Sequence, residues 1–193
     1  MKRFFVTAAV VTGLSACASA QLPDIQIMDT QVFSESITSM QDGTVIAGSV
    51  KGIVYRAEPG SNQAHPWIHH SEENGILTIL GVLADEPQST LWLCSAPNFF
   101  GPERSVGTTS LMAFDLKTGA QKGVYPFPAP GGTCNDITVA SNGTAFASDT
   151  GNGRIFTLTP GASALELYGE DATLRGIDGL AFSADGTLYV NNV

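Results

Sequence analysis

The sequence predicts an all-β protein, a β-propeller of the six-bladed type, of which this chain covers about three and a half blades. Three observations lead to this prediction. Three segments of the chain match one another without gaps, and a looser copy lies between the first two. Equivalent positions in the four copies are 45, 55 and 43 residues apart, which is the spacing of blades built from four short antiparallel strands. Beyond the first twenty residues, the sequence has almost no helical pattern.

Each copy of the repeat consists of a polar residue, a short apolar strand, an Asp-Gly-Thr or Asn-Gly-Thr turn and a second apolar strand. The gapless copies occupy residues 35–47, 135–147 and 178–190, and the looser copy occupies residues 80–93. The glycine of the turn supplies the positive φ that a tight hairpin needs. The gapless match favours a propeller over the two alternatives for such strands, a β-sandwich and an open β-solenoid.

A third strand follows each of the first three hairpins and ends at a turn that contains glycine. These strands are predicted at residues 52–56, 110–114 and 154–158, and residues 165–168 indicate a fourth. The last repeat stops after its second strand, whereas a closed propeller has four to eight full blades. We therefore expect the sequence to be a fragment, since six blades would need roughly 290 residues.

The first twenty residues predict an export signal. Lys2 and Arg3 form a basic start, an uncharged apolar run too short to span a bilayer follows, and residues 18–20 form a small-residue cleavage site. This pattern predicts a secreted or periplasmic protein. Residues 14–17 also resemble the lipobox of bacterial lipoproteins, so the alternative is a membrane-anchored lipoprotein with the lipid on Cys17.

We therefore divide the chain into an export signal, residues 1–20, and a partial propeller domain, residues 21–193. Hydrophobic residues make up 43% of the whole chain and charged residues 14%, so the chain has enough apolar side chains to form a buried core. Its net charge of −9 argues against nucleic-acid binding, which needs a basic surface. We expect a small-molecule partner, with neither nucleic acid nor a membrane span.

Two cysteines, Cys94 and Cys134, belong to the propeller domain. Export would allow them to form a disulfide, but their neighbours are apolar strand residues typical of buried positions. We expect two buried thiols, with a disulfide as the alternative. The sequence has no Cys-x-x-Cys pair, so it does not predict a zinc or redox site of that kind.

The innermost strand of each propeller blade lines the central channel, and the residue at its entry points toward the axis. The repeat places Glu35, Leu80, Asn135 and Asp178 at this position. Three of the four side chains carry oxygen atoms, and a ring of carboxylate and amide oxygens suits Ca²⁺ or a similar hard cation. The alternative is that these side chains cap strand ends and bind channel water.

The repeats resemble the SMP-30/gluconolactonase/LRE-like family of regucalcin-like six-bladed propellers. The resemblance covers about residues 33–193 and is strongest at residues 134–137 and 177–182. It implies a divalent metal in the channel, Ca²⁺ first, with Zn²⁺ and Mg²⁺ as alternatives. It also implies hydrolysis of a lactone or a related ester. The metal would polarise the carbonyl and activate a water, and a channel carboxylate, not assigned to a residue, would act as general base.

Carried over by position, the resemblance implies that Glu35 and Asp178 are metal ligands. It implies that Asn135, with Asp136 behind it, faces the substrate. Asp178 stands where the family usually has Asn, and its carboxylate would add a negative charge to the site. The sequence departs from the family in two further ways. The Arg that often precedes the Asn-Asp pair is absent, and the position of the fifth-blade Asp ligand lies beyond Val193.

The rival prediction is a non-catalytic β-propeller that binds a small molecule or a partner protein on the same face. Repeats of this kind also occur in propellers that are not enzymes, so they specify the fold better than the function. Calcium separates the two predictions. The ion should raise the thermal stability of a metal-dependent hydrolase, because binding to the folded state alone stabilises it. Its turnover should also depend on the ion.

Overall fold

The computed structural model describes residues 24–97, 107–128 and 132–193. The predicted export signal, residues 1–20, lies outside the described residues. The described part of the chain consists of short β-strands and one 3₁₀ turn, Ala172–Leu174. No helix in that part is long and apolar enough to cross a membrane.

The first repeat folds into a sheet of five strands in the order β1-β5-β4-β3-β2. β1 pairs in parallel with β5 at the outer edge, and the other pairs are antiparallel. The sequence did not predict β1, because a strand of two residues has no detectable period. The strands are Gln26–Ile27 (β1), Ser34–Ser39 (β2), Val45–Ser49 (β3), Ile53–Ala57 (β4) and Gln63–His69 (β5).

The second and third repeats each form a four-stranded antiparallel sheet, and the fourth forms a hairpin. The second sheet contains Thr78–Asp85 (β6), Thr90–Ala96 (β7), Ser110–Asp115 (β8) and Gln121–Pro126 (β9). The third sheet contains Cys134–Val139 (β10), Ala145–Asp149 (β11), Arg154–Leu158 (β12) and Glu166–Glu170 (β13). The hairpin contains Ile177–Phe182 (β14) and Leu188–Asn192 (β15).

The first strands of the four repeats lie side by side. β2 contacts β6, β6 contacts β10, and β10 contacts β14, so each repeat forms a blade and the four blades follow one another along an arc. We number the blades 1 to 4 in chain order. The predicted fold class, an all-β partial propeller, is confirmed.

The Asp-Gly-Thr and Asn-Gly-Thr turns explain why the hairpins form at these points. In each turn the Asp or Asn side chain accepts a hydrogen bond from the backbone N–H of the Thr, which mimics a backbone turn. The glycine between them has a φ of +84° to +92°, in the left-handed region. The bonds run from Thr44 N to Asp42 Oδ1 (2.8 Å), from Thr144 N to Asn142 Oδ1 (3.0 Å) and from Thr187 N to Asp185 Oδ1 (3.1 Å).

In blades 2, 3 and 4 the innermost strand buries an apolar side chain at the same position of the repeat. Val82 is 4% exposed, Ile137 4% and Leu180 7%. Ile37 occupies the same position in blade 1 but is 70% exposed, because among the described residues no blade packs on that side. The equivalent apolar residues therefore lie in different environments, and burial of such a side chain is worth about 1.5–3 kcal/mol.

Cys94 and Cys134 form a disulfide, with their Cα atoms 5.0 Å apart. The prediction of two buried thiols is therefore wrong about the bonding, although both residues are fully buried. Cys94 lies on β7 of blade 2 and Cys134 begins β10 of blade 3. The packing of these two strands brings together cysteines that are 40 residues apart in the sequence.

Candidate functional site

The four predicted channel positions lie at β-bulges. Along each innermost strand the pairing with the next strand shifts register at the same point of the repeat. A bulge bends the strand and redirects a side chain. The same β-bulge therefore occurs in all four blades. The residues inside the bulges include Glu35, Leu80, Asn135 and Asp178.

Asn135 and Asp178 are in direct contact between blades 3 and 4. The side-chain amide nitrogen of Asn135 donates a hydrogen bond to Oδ1 of Asp178 at 2.8 Å. Both residues are half-buried. The amide nitrogen is only a donor, so Oδ1 of Asn135 is the atom through which its side chain could bind a cation. The carboxylate at position 178 suits this contact, because it accepts the hydrogen bond that the amide N–H donates.

Asp136 connects blade 3 to blade 4. Its Oδ2 accepts a hydrogen bond from the backbone N–H of Leu180 at 2.6 Å, and its own N–H donates to Oγ of Ser148 at 2.9 Å. Blade 1 has a matching bond, in which Oγ of Ser36 accepts from the N–H of Val82 in blade 2 at 3.0 Å. Asp136, directly after Asn135 in the chain, is therefore held by hydrogen bonds to the backbone of blade 4 and to Ser148 of its own blade.

Sequence reasoning missed this connecting role of Asp136 and Ser36. The only signal in the sequence is that both are hydrogen-bond acceptors at the same position of the repeat.

Burial raises the pKa of Asp136, and the N–H groups of Leu180 and Ile137 oppose that rise.

Glu35 is the carboxylate that blade 1 contributes. Partial desolvation, followed by the negative charges of Asp178 and Asp136, raises the pKa of Glu35 to about 7. All three effects act in the same direction. The carboxylate of Glu35 in blade 1 is therefore close enough to feel the negative charges of Asp136 and Asp178 in blades 3 and 4, although Glu35 itself is exposed.

The arrangement has the chemistry of a hard-cation site without a closed set of ligands. Glu35, Asn135 and Asp178 supply carboxylate and amide oxygens, the donors that Ca²⁺ and Mg²⁺ prefer. A cation would also relieve the repulsion from Asp178 and Asp136, which adds to desolvation in raising the pKa of Glu35. Yet residues 24–97, 107–128 and 132–193 contain no group of three His, Cys, Asp or Glu close enough to hold one ion. These residues fit such a cation as part of its coordination shell, which takes six to eight oxygens for Ca²⁺.

The pKa of Glu35 makes stability depend on pH in the metal-free protein. Its pKa is higher in the folded state than its ordinary value of 4.5, so the folded state binds the proton more tightly. Stability from this group is present below about pH 4.5 and is lost as the pH rises to about 7. We expect Glu35→Gln to be more stable than the wild type at pH 8, and the difference to shrink at pH 4.5. Urea unfolding of both proteins at the two pH values measures this, and a difference independent of pH would contradict it.

No protein-family model matches the sequence, and no curated protein matches it. Solved structures do match. The streptogramin B lyase structure superposes with a TM-score of 0.63 at 17% identity, over 82% of this chain and 48% of that chain. Virginiamycin B lyase from Staphylococcus aureus gives a TM-score of 0.60 at 15% identity, over 83% of this chain and 49% of that one. Both lyases are β-propeller proteins.

This chain has a β-propeller fold. It spans about half the length of the two lyases. It also matches the computationally designed Ika4 protein, with a TM-score of 0.58 at 11% identity, over 90% of this chain and 98% of that chain. At these identities the likeness shows the fold alone.

Proposed function

We propose that this β-propeller chain belongs to an exported, metal-dependent hydrolase of the SMP-30/gluconolactonase type that acts on a lactone or a related ester. The observation that carries the proposal is the placement of Glu35, Asn135 and Asp178. Their oxygen atoms come from bulges on three innermost strands. The carboxylates of Asp178 and Asp136 support it, because their negative charges add to desolvation in raising the pKa of Glu35 and would attract a cation to the same place.

Each residue has a defined part in this proposal. Glu35 and Asp178 hold the divalent cation. Oxygen donors favour Ca²⁺ and Mg²⁺ over Zn²⁺, and ligands from separate strands suit the flexible coordination of Ca²⁺ better than the strict octahedron of Mg²⁺. Such an ion polarises a carbonyl and lowers the pKa of a bound water. Asn135 faces the substrate, and its contact with Asp178 fixes the orientation of its amide. Asp136 acts behind Asn135 as a positioning residue, since its carboxylate is held by the N–H of Leu180.

The disulfide supports the proposed export. Disulfides persist in oxidising compartments and are rare in the cytosol. The Cys94–Cys134 bond therefore fits a secreted or periplasmic protein. A lipid anchor at Cys17 remains the alternative route to the same compartment, because the signal sequence fits both.

The second candidate is a non-catalytic propeller that binds a small molecule or a partner protein at the same face. The observation in its favour is the incomplete ligand set. Within the described ranges of the chain, no three His, Cys, Asp or Glu residues converge on one point. A site of this kind could bind a polar ligand through Asn135 and Asp178 without any metal.

Calcium titration with an activity assay distinguishes the two candidates. For the hydrolase we expect Ca²⁺ at a hundredfold its Kd to stabilise the protein by about 2.7 kcal/mol, seen as a rise in Tm. We also expect turnover of simple lactones that EDTA removes and Ca²⁺ restores. Turnover that survives EDTA would contradict the metal-dependent mechanism. A protein with neither turnover nor calcium stabilisation would support the binding module.

A further inference from the structure

The segment that carries Asn135 and Asp136 is only partly held by its own blade. β10 pairs with β11 at Cys134 and again at Ile137, and the two residues between them lie in the bulge. Within blade 3, the N–H of Asp136 bonds to Oγ of Ser148 at 2.9 Å. The regular ladder does not pair Asn135 itself, so contacts with neighbouring blades add to what holds this residue in place.

Blade 2 supplies two such contacts from a single pair of residues. Gly81 on β6 and Cys94 on β7 are directly opposite each other. A Cβ atom at Gly81 would lie 2.3 Å from the backbone carbonyl oxygen of Asn135, so only glycine lets the two strands approach this closely. Cys94 is joined by the disulfide to Cys134, the residue just before Asn135.

Blade 4 holds the same segment from the other side. The amide of Asn135 donates to Asp178, and the carboxylate of Asp136 accepts from the N–H of Leu180. The bulge therefore packs against Gly81 of blade 2, is anchored to blade 2 through the disulfide of the preceding Cys134, and makes two hydrogen bonds to blade 4. A shift of the backbone at Asn135 would lengthen the bond to Asp178.

We propose that Gly81 and the Cys94–Cys134 disulfide form a positioning clamp that holds the side-chain amide of Asn135 against Asp178. The clamp makes blade 2 part of the site, although its own channel residue is the apolar Leu80. The geometric claim concerns the Asn135–Asp178 contact alone. The effect of the clamp on cation affinity rests on the proposed function.

Hydrogen exchange of the Asn135 side-chain amide, followed by NMR, tests the clamp without metal or substrate. In Gly81→Ala we expect the added methyl group to displace the Asn135 carbonyl and to speed this exchange on the order of tenfold, since a hydrogen bond to a charged group is lost. Gly169→Ala is the matched control, because nothing lies within 4 Å of a Cβ at that position. We expect the control to exchange at the wild-type rate.

A double variant, Cys94→Ala with Cys134→Ala, removes the other half of the clamp and decides the question if Gly81→Ala does not fold. We expect faster exchange of the Asn135 amide there too. Wild-type exchange in the folded variants would overturn the clamp. If the wild type binds Ca²⁺, we expect both clamp variants to raise its Kd by about 10- to 100-fold. If the wild type binds no Ca²⁺, the proposed function fails, and the clamp is judged on the amide alone.

Discussion

Ile137→Ala is expected to destabilise the protein by about 2–5 kcal/mol, whereas Ile37→Ala is expected to cost less than about 1 kcal/mol. The two isoleucines occupy the same position of the repeat, in the innermost strands of blades 3 and 1. Ile137 is 4% exposed and Ile37 70%, so only the first substitution leaves a cavity between blades. The loss of β-propensity is shared by both, and it sets the small cost expected at Ile37.

Urea unfolding followed by tryptophan fluorescence measures both variants, because Trp92 is buried in the core cluster that contains Ile137. Ile37 thus serves as the control for Ile137, with the same chemical change at an equivalent backbone position. A cost at Ile37 as large as that at Ile137 would contradict the expectation. It would indicate that a further blade or a second molecule covers the free face of blade 1.

Glu35→Gln is expected to weaken calcium binding strongly and, with it, to abolish lactone hydrolysis. The substitution keeps the size of the side chain but removes one of two carboxylate ligands proposed for the ion. Loss of a ligand should exceed the 10- to 100-fold effect typical of residues that only support a ligand, so affinity should fall by more than about 100-fold.

The matched control is Glu166→Gln, the same change at an exposed glutamate on β13. Calorimetric titration gives the affinity, and initial rates on a panel of lactones give the activity. Full activity in Glu35→Gln would rule out the proposed role of this residue. Loss of activity with unchanged calcium binding would instead place Glu35 in the chemistry and outside the coordination shell.

The parts of this protein that sequence could predict are those encoded over short distances. The turns depend on contacts between residues two apart, such as Asp42 with Thr44, so the motif and its repetition reveal the hairpins. The alignment of the repeats then places Glu35, Asn135 and Asp178 at one position. The fold and the candidate channel residues could therefore be predicted from the sequence.

The parts that sequence could not predict depend on how the blades pack. The disulfide joins cysteines 40 residues apart, and the bond from Leu180 to Asp136 spans 44 residues. The pKa of Glu35 depends on carboxylates from two other blades. None of these relations leaves a local pattern in the chain, because each arises only when the innermost strands lie side by side.

A crystal structure of the protein with Ca²⁺ present is the most direct test of the proposed site. We expect one ion between blades 1 and 4, with oxygen atoms of Glu35 and Asp178 at the 2.3–2.6 Å that is typical of Ca²⁺. We expect the Asn135 amide to keep its hydrogen bond to Asp178 and its Oδ1 to face the substrate. A calcium-soaked crystal with no ion between Glu35 and Asp178 would contradict the central claim and leave the non-catalytic propeller as the better account.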